Sequence, residues 1–513
     1  MNTPPHGAKG DGDHEDLAAL ARGGRTNLLG FLLRLAARLP FLFIAGRIYG
    51  AAALGRFAYA VLIVEFAAQI STLGLKRGLA QQLSQTDKPH VCVVWDAMLV
   101  AFVASAIASV ILGVFPRAMF PNSPIHGAEW LLPLIVFAIA GADVALAALA
   151  YQHNVQATVT ARAIVEPWTI SFAALAMSFV STRDGLIFSY VLSMLAAWGA
   201  SLWPLFRSYG VPRGWRPDPV TLWQLARRNT PLAAADAIEW GSRRIDIGIL
   251  GLFFRPDIVG IYYVAQQVAS LPQKLKTSFD PILSPVITQK LAEGDKTAVA
   301  RQIRQVGFWI IAAQTGVALA LGIPGEAVMG LVGPHFVGGT AALGFLLFAE
   351  IVAATAAVSE AALIYVARHR NLMISMGMIG IQAALTVGLI VTFRALHLPK
   401  TGQAAGPAIA LCIALGLASI AKARLLSGLL GAPVSGWRWA LVWAAAFATV
   451  IGYLATMVPE WGELIFGIPA ILVSFGYVIW RRGFTHADRV LFRRQQVLEE
   501  PTLPPPAGSM PEG

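Results

Sequence analysis

The sequence predicts an all-α polytopic membrane protein of about 14 transmembrane helices: two pseudo-symmetric six-helix lobes around a central cavity, plus two C-terminal helices. Three observations carry that prediction. Hydrophobic residues make up 56% of the 513, charged residues only 13%, and mean hydropathy is +0.63, against about 45–50% apolar and about 25% charged in soluble domains. Apolar runs of span length recur along the chain, and a weak internal repeat relates its two halves.

A bilayer core of about 30 Å needs roughly 20 apolar residues per helix, because every backbone polar group must be satisfied within the segment. Residues 1–25 hold Gly, Asp, Ala and charge without an apolar signal region, and read as a disordered cytoplasmic N-terminus. Candidate helices then fall near 27–47, 57–79, 91–115, 129–151, 160–181 and 184–206, forming an N-lobe over 26–206. A cytoplasmic linker, 207–229, leads to a C-lobe over 230–426, with helices near 230–254, 258–288, 303–323, 340–366, 371–393 and 403–424. Two C-terminal helices near 437–457 and 462–480 precede a cytoplasmic tail, 481–513, ending in the Pro-rich "PTLPPPAGSMPEG". Turn signals such as "FPNSP" (120–124), "STRDG" (181–185) and "FRPD" (254–257) separate the helices. Cys92 and Cys412 lie inside apolar runs and read as packing residues.

Loops rich in Lys and Arg stay cytoplasmic. With the N-terminus inside, the cytoplasmic segments hold 26 such residues and the outer ones 7: Arg47, Arg56, Arg117, Arg183, Arg255, Arg394 and Lys400. Both termini are therefore expected in the cytoplasm, and the net charge of +11 needs no nucleic acid to explain it. Six cations remain inside spans: Arg34, Arg38, Arg243, Arg244, Lys274 and Lys276. A cation at mid-bilayer costs about 2.5–3.5 kcal/mol on insertion scales, so such residues face a bundle interior or a wet cavity and point to function.

Arg34 and Arg38 share one face of the first helix. On the seventh, Asp236, Glu239, Arg243 and Asp246 step by three, four and three, one polar stripe whose bland reading is a set of buried ion pairs. The segments 46–60 and 251–265 align without gaps at an offset of 205, matching Gly46 with Gly251, Gly55 with Gly260 and Ala60 with Ala265; Arg38 then falls on Arg243. At an offset of 211, Phe137 pairs with Phe348 and Ala138 with Ala349. An offset of about six spans makes the copies parallel, and parallel repeats place a shared site between two lobes near the midplane. The stripe becomes one wall of a cavity suited to an anion.

The blocks "AGRIYGAAALGRFAYAVLIVEFAAQISTLGLKRGLAQQL" (45–83), "RRIDIGILGLFFRPDIVGIYYVAQQVASLPQKLKTSFDPILSPVITQKLAEGD" (243–295), "LVGPHFVGGTAALGFLLFAEI" (331–351) and "TGQAAGPAIAL" (401–411) resemble those of bacterial polysaccharide flippases, in the multidrug/oligosaccharidyl-lipid/polysaccharide exporter superfamily. The resemblance implies two six-helix lobes around a cationic lumen in the bacterial plasma membrane. It also implies movement of undecaprenyl-pyrophosphate-linked oligosaccharide from the inner to the outer leaflet by alternating access, with polysaccharide polymerase and chain-length proteins as partners. Relatives carry arginines in the first helix and in the GRxxG turn after it, which correspond here to Arg34, Arg38 and Arg47. The block "TGQAAGPAIAL" departs from the usual Gly-Ala-Ala-Ile-Ala order.

A pyrophosphate bears about two negative charges, and the planar guanidinium fork suits phosphate oxygens where Lys acts as a point charge. No GxxxxGK[ST] cradle is present, and no cofactor is expected; energy would come from an H+ or Na+ gradient. Such coupling needs carboxylates in the membrane, and Glu65, Asp143, Asp236, Glu239, Asp246, Glu350, Asp280 and Glu360 are candidates. Glu65 and Glu350 stand out because no basic residue lies within four positions of either. No Ser-His-Asp, Cys-His or clustered-His constellation points to hydrolysis or a metal. A polymerase or glycosyltransferase would need a large outer loop, and the connections near 116–128 and 324–339 are too short for one. A multidrug exporter or a lipid II-type exporter of the same superfamily is the alternative; a cation exporter would carry acids or aromatics on its first helix in place of two arginines.

Overall fold

The computed structural model describes residues 39–125, 127–152, 154–277 and 296–485, without the side chains of 274–277 and 355–357. Every regular element among them is helical. Sixteen helices matter here: α1 (Gly50–Ser71), α2 (Leu75–Ser84), α3 (His90–Val114), α4 (Leu132–Tyr151), α5 (Glu166–Ser178), α6 (Gly185–Tyr209), α7 (Pro219–Ser242), α8 (Ile245–Phe253), α9 (Pro256–Thr277), α10 (Lys296–Gly322), α11 (Gly325–Val332), α12 (Thr340–Val366), α13 (Arg368–Ala395), α14 (Gly406–Leu430), α15 (Trp439–Ala455) and α16 (Ile468–Val478). Among the described residues nine helical stretches are long and apolar enough to cross a membrane, and α15 is a shorter apolar helix. The protein is a multi-pass membrane protein.

The sequence predicts fourteen spans, and the difference has physical sources. The predicted first helix, 27–47, lies largely outside the described residues, as does the end of the eighth. The predicted second helix is α1 and α2, separated at Thr72–Gly74, where Gly74 adopts φ 71°. That left-handed conformation favours glycine, and a Cβ there would lie 2.6 Å from the Ala233 backbone nitrogen, so α2 can sit directly on α7 only because residue 74 has none. The predicted seventh helix is likewise two pieces, α7 and α8, interrupted at Arg243–Arg244.

The internal repeat has a structural counterpart. Helix α1 packs on α9, and α4 packs on α1 as α12 packs on α9. At the crossing, a Cβ on Gly55 would lie 1.8 Å from the Pro256 carbonyl oxygen and one on Gly260 would lie 2.0 Å from the Ala51 carbonyl oxygen. Residues 51 and 55 are the repeat partners of 256 and 260 at the offset of 205, so the contact is reciprocal, the mark of a two-fold relation. Around it Phe57, Tyr262, Met329 and Phe336 belong to one buried core. A second core joins α10, α12, α14, α15 and α16 through Phe308, Leu426, Leu441 and Phe475, and a third ties α2, α3, α4 and α6 together.

Candidate functional site

The interruption at Arg243–Arg244 decides where the charged stripe points. Helix α7 ends at Ser242, Arg243 closes it in helical conformation, Arg244 opens out to φ −136°, and α8 starts at Ile245. A continuous helix would keep Asp236, Glu239, Arg243 and Asp246 on one face; the break sends them to three places. Asp236 is buried and accepts Arg77 Nε at 2.8 Å. Glu239 is half exposed, accepts Arg77 Nη2 at 2.7 Å and lies 3.9 Å from Arg243. Asp246 is fully buried, accepting the Tyr262 hydroxyl at 2.7 Å, Gln266 Nε2 at 3.1 Å and the Ile247 N–H at 2.9 Å. Only Glu239, Arg243 and Arg244 of this set reach the cavity wall.

That cavity measures about 1110 Å³ and is bounded by residues of α1, α2, α5, α6, α7, α8, α9, α10, α12, α13 and α14. It lies beside the α1–α9 crossing and extends to Arg77 near the start of α2 and Arg368 at the start of α13. Among the described residues its basic side chains are Arg77, Arg243, Arg244, Arg368 and Lys422, and its acidic ones Glu65, Glu166, Glu239, Glu350 and Glu360. This described lining is balanced in charge; any cationic excess falls to Arg34, Arg38, Lys274 and Lys276. The first two lie outside the described residues, and the lysines sit on α9 with side chains that are not described.

Two clusters organise the wall. Arg244 is ion-paired with Glu65 of α1 and stacks over Trp240, 4.7 Å from the ring centroid, while the Tyr190 hydroxyl donates to Glu65 at 3.2 Å. Glu65, isolated on its own helix, thus finds its base 179 positions away, which local spacing could not reveal. Lys422 of α14, 4% exposed, donates to Ser375 at 3.0 Å and pairs with Glu360 at 3.2 Å. The predicted helix end at 424 makes Lys422 a loop cation; α14 in fact continues through the apolar "LLSGLL" to Leu430, which places it inside the bundle. Arg77, Glu166 and Arg368 are further wall residues absent from the sequence-based set.

The other expected site residues stand elsewhere. Arg47 donates to the Leu331 carbonyl at 3.0 Å and lies 5.4 Å from the Phe43 ring, off the cavity lining. Asp143 is paired with Arg162, which also holds Glu166 at 2.8 Å. Asp143, Asp236 and Asp246 do not line the cavity, whereas Glu65, Glu239 and Glu350 do. Asp280 lies outside the described residues. No group of three His, Cys, Asp or Glu side chains placed to hold a metal occurs among the described residues.

A family model described as "Polysaccharide biosynthesis protein" matches residues 22–290. No curated protein matches the chain. Among solved structures, the lipid II flippase MurJ in an inward closed conformation superposes with a TM-score of 0.66 at 11% identity, over 88% of this chain and 99% of that one. An inward-facing multidrug resistance MATE family transporter of the MOP superfamily gives 0.62 at 14% identity, over 78% and 94%. A MOP superfamily transporter from Pyrococcus furiosus, described as having a binding pocket of reverse polarity, gives 0.54 at 13%, over 80% and 95%. The likeness shows a common fold.

Proposed function

The chain belongs to the polysaccharide biosynthesis protein family, and from that premise we propose that it flips undecaprenyl-pyrophosphate-linked oligosaccharide from the inner to the outer leaflet. The observation that carries the reading is the adjacent pair Arg243 and Arg244 on the cavity wall, at the break between α7 and α8. Two guanidinium forks side by side suit a pyrophosphate, and the N-terminus of a half-helix beside them adds a favourable field for an anion. Arg243 is 53% exposed on its side chain and its carboxylate contact with Glu239 is long, so it is available to a ligand.

In this reading the lobes 26–206 and 230–426 rock about the reciprocal α1–α9 contact, and the cavity loads from the basic-loop side, which the charge bias places in the cytoplasm of a bacterial plasma membrane. Arg34, Arg38, Lys274 and Lys276 complete the basic set. Glu65, Glu239 and Glu350 are the cavity carboxylates through which an H+ or Na+ gradient would couple. Polysaccharide polymerase and chain-length proteins would take up the product. The test is binding of farnesyl pyrophosphate to the purified protein in nanodiscs. Arg243→Gln should weaken it about tenfold or more, the scale of a lost charge-assisted hydrogen bond, and an unchanged affinity would remove Arg243 from the site.

A further inference from the structure

We infer that the cavity holds a second, separate subsite for the uncharged sugar part of the ligand, formed by α12, α13 and α14; the inference rests on the function proposed above. Arg368, Asn371 and Ser375 step by three and four along α13 and therefore form one stripe, and all three line the cavity. Opposite them stand Lys422 of α14, with Ser375 at 3.0 Å and Glu360 of α12 at 3.2 Å. Tyr365, near the C-terminal end of α12, also lines the cavity and leaves 52% of its surface exposed.

These groups answer to a polyhydroxylated, neutral ligand. Asn371 is 8% exposed, and its Oδ1 has no hydrogen-bond partner among the described residues, a cost that a ligand hydroxyl would relieve. A carboxamide, a carboxylate, an ammonium and a hydroxyl offer donors and acceptors in the mixture that sugar hydroxyls require. The exposed Tyr365 ring supplies an apolar face with a polar tip. Glu360, 39% exposed on its side chain and 3.2 Å from Lys422, offsets the lysine's charge and repels phosphate, so the anionic headgroup is directed to Arg243 and Arg244 and the glycan to this stripe. The cavity exceeds the upper end of the roughly 300–1,000 Å³ usual for small-ligand pockets, which leaves room for both parts.

The experiment uses two probes, farnesyl pyrophosphate and farnesyl-pyrophosphoryl-N-acetylglucosamine, titrated calorimetrically into the full-length protein in nanodiscs. The wild type should bind the glycosylated probe at least about tenfold more tightly, and Asn371→Leu and Tyr365→Ala should each bring the two probes to within about threefold of one another. Tyr365 is exposed, so its truncation disturbs no core packing. Arg243→Gln should weaken both probes by the same factor. Equal affinities in the wild type, or a preference that survives in both variants, overturns the sugar subsite while leaving the headgroup site standing. Failure of the wild type to bind farnesyl pyrophosphate overturns the function on which the inference rests.

Discussion

Asp246 shows why charge alone misleads at the level of single residues. By spacing it belongs to the same stripe as Arg243, yet it is fully buried and receives three hydrogen bonds from Tyr262, Gln266 and its own neighbour's backbone. Its role is to join α8 to α9. Asp246→Ala should therefore destabilise the protein by about 3 kcal/mol or more, since it strands two buried donors, with Asp246→Asn milder; thermal unfolding in detergent measures both, and an unshifted melting point in the Ala variant contradicts the assignment. Arg243, exposed to the cavity, should behave oppositely: Arg243→Lys keeps a charge but loses the fork, and should fall between wild type and Arg243→Gln in binding farnesyl pyrophosphate while leaving the melting point in place. The charged residues were legible in the sequence, but their facing was not, because two residues at 243–244 leave the helical path and rotate everything after them. Lys422 was hidden for the opposite reason, a helix that runs farther than its most apolar stretch.

At the scale of elements, apolar length was an accurate guide where a helix is uninterrupted: α12 occupies 340–366 as the sequence predicts, and α3 and α6 are displaced by only a few residues. It failed at Thr72–Gly74 and at Arg243–Arg244, where an apolar window spans a turn made by two or three residues. The repeat was more informative than its few matches suggested, because Gly55 and Gly260 are the two positions where backbones of α1 and α9 touch. Gly55→Ala and Gly260→Ala each drive a methyl group into a backbone carbonyl that cannot swing aside, so each should cost about 1–3 kcal/mol or more in stability. Because the contact is reciprocal the two losses should be similar. Gly113, with no atom near its Cβ position, should accept Ala without loss, and equal behaviour of all three variants would refute the close crossing.

The whole molecule is a bundle whose cavity draws its charges from segments far apart in sequence: Glu65 with Arg244, Arg77 with Asp236 and Glu239, Glu360 with Lys422. No local pattern announces such pairs. The sequence nevertheless carried the membrane class, the parallel halves and a polar interior at Arg243 and Arg244. The loop charges make a prediction at this scale: alkaline phosphatase fused after Ala507 should be inactive and a fusion within 324–339 active, and the reverse pattern would invert the side from which the cavity loads.

The most direct measurement is flipping itself. Purified protein in liposomes, supplied with a short undecaprenyl-pyrophosphate-linked oligosaccharide carrying a labelled sugar, is assayed by the fraction of label exposed to a membrane-impermeant glycosidase. The account predicts that wild type accelerates exposure of the internal pool well above protein-free liposomes and that the Arg243→Gln, Arg244→Gln double variant returns it to that background. An internal pool that stays hidden with wild-type protein, or a double variant that flips as fast as wild type, would contradict it.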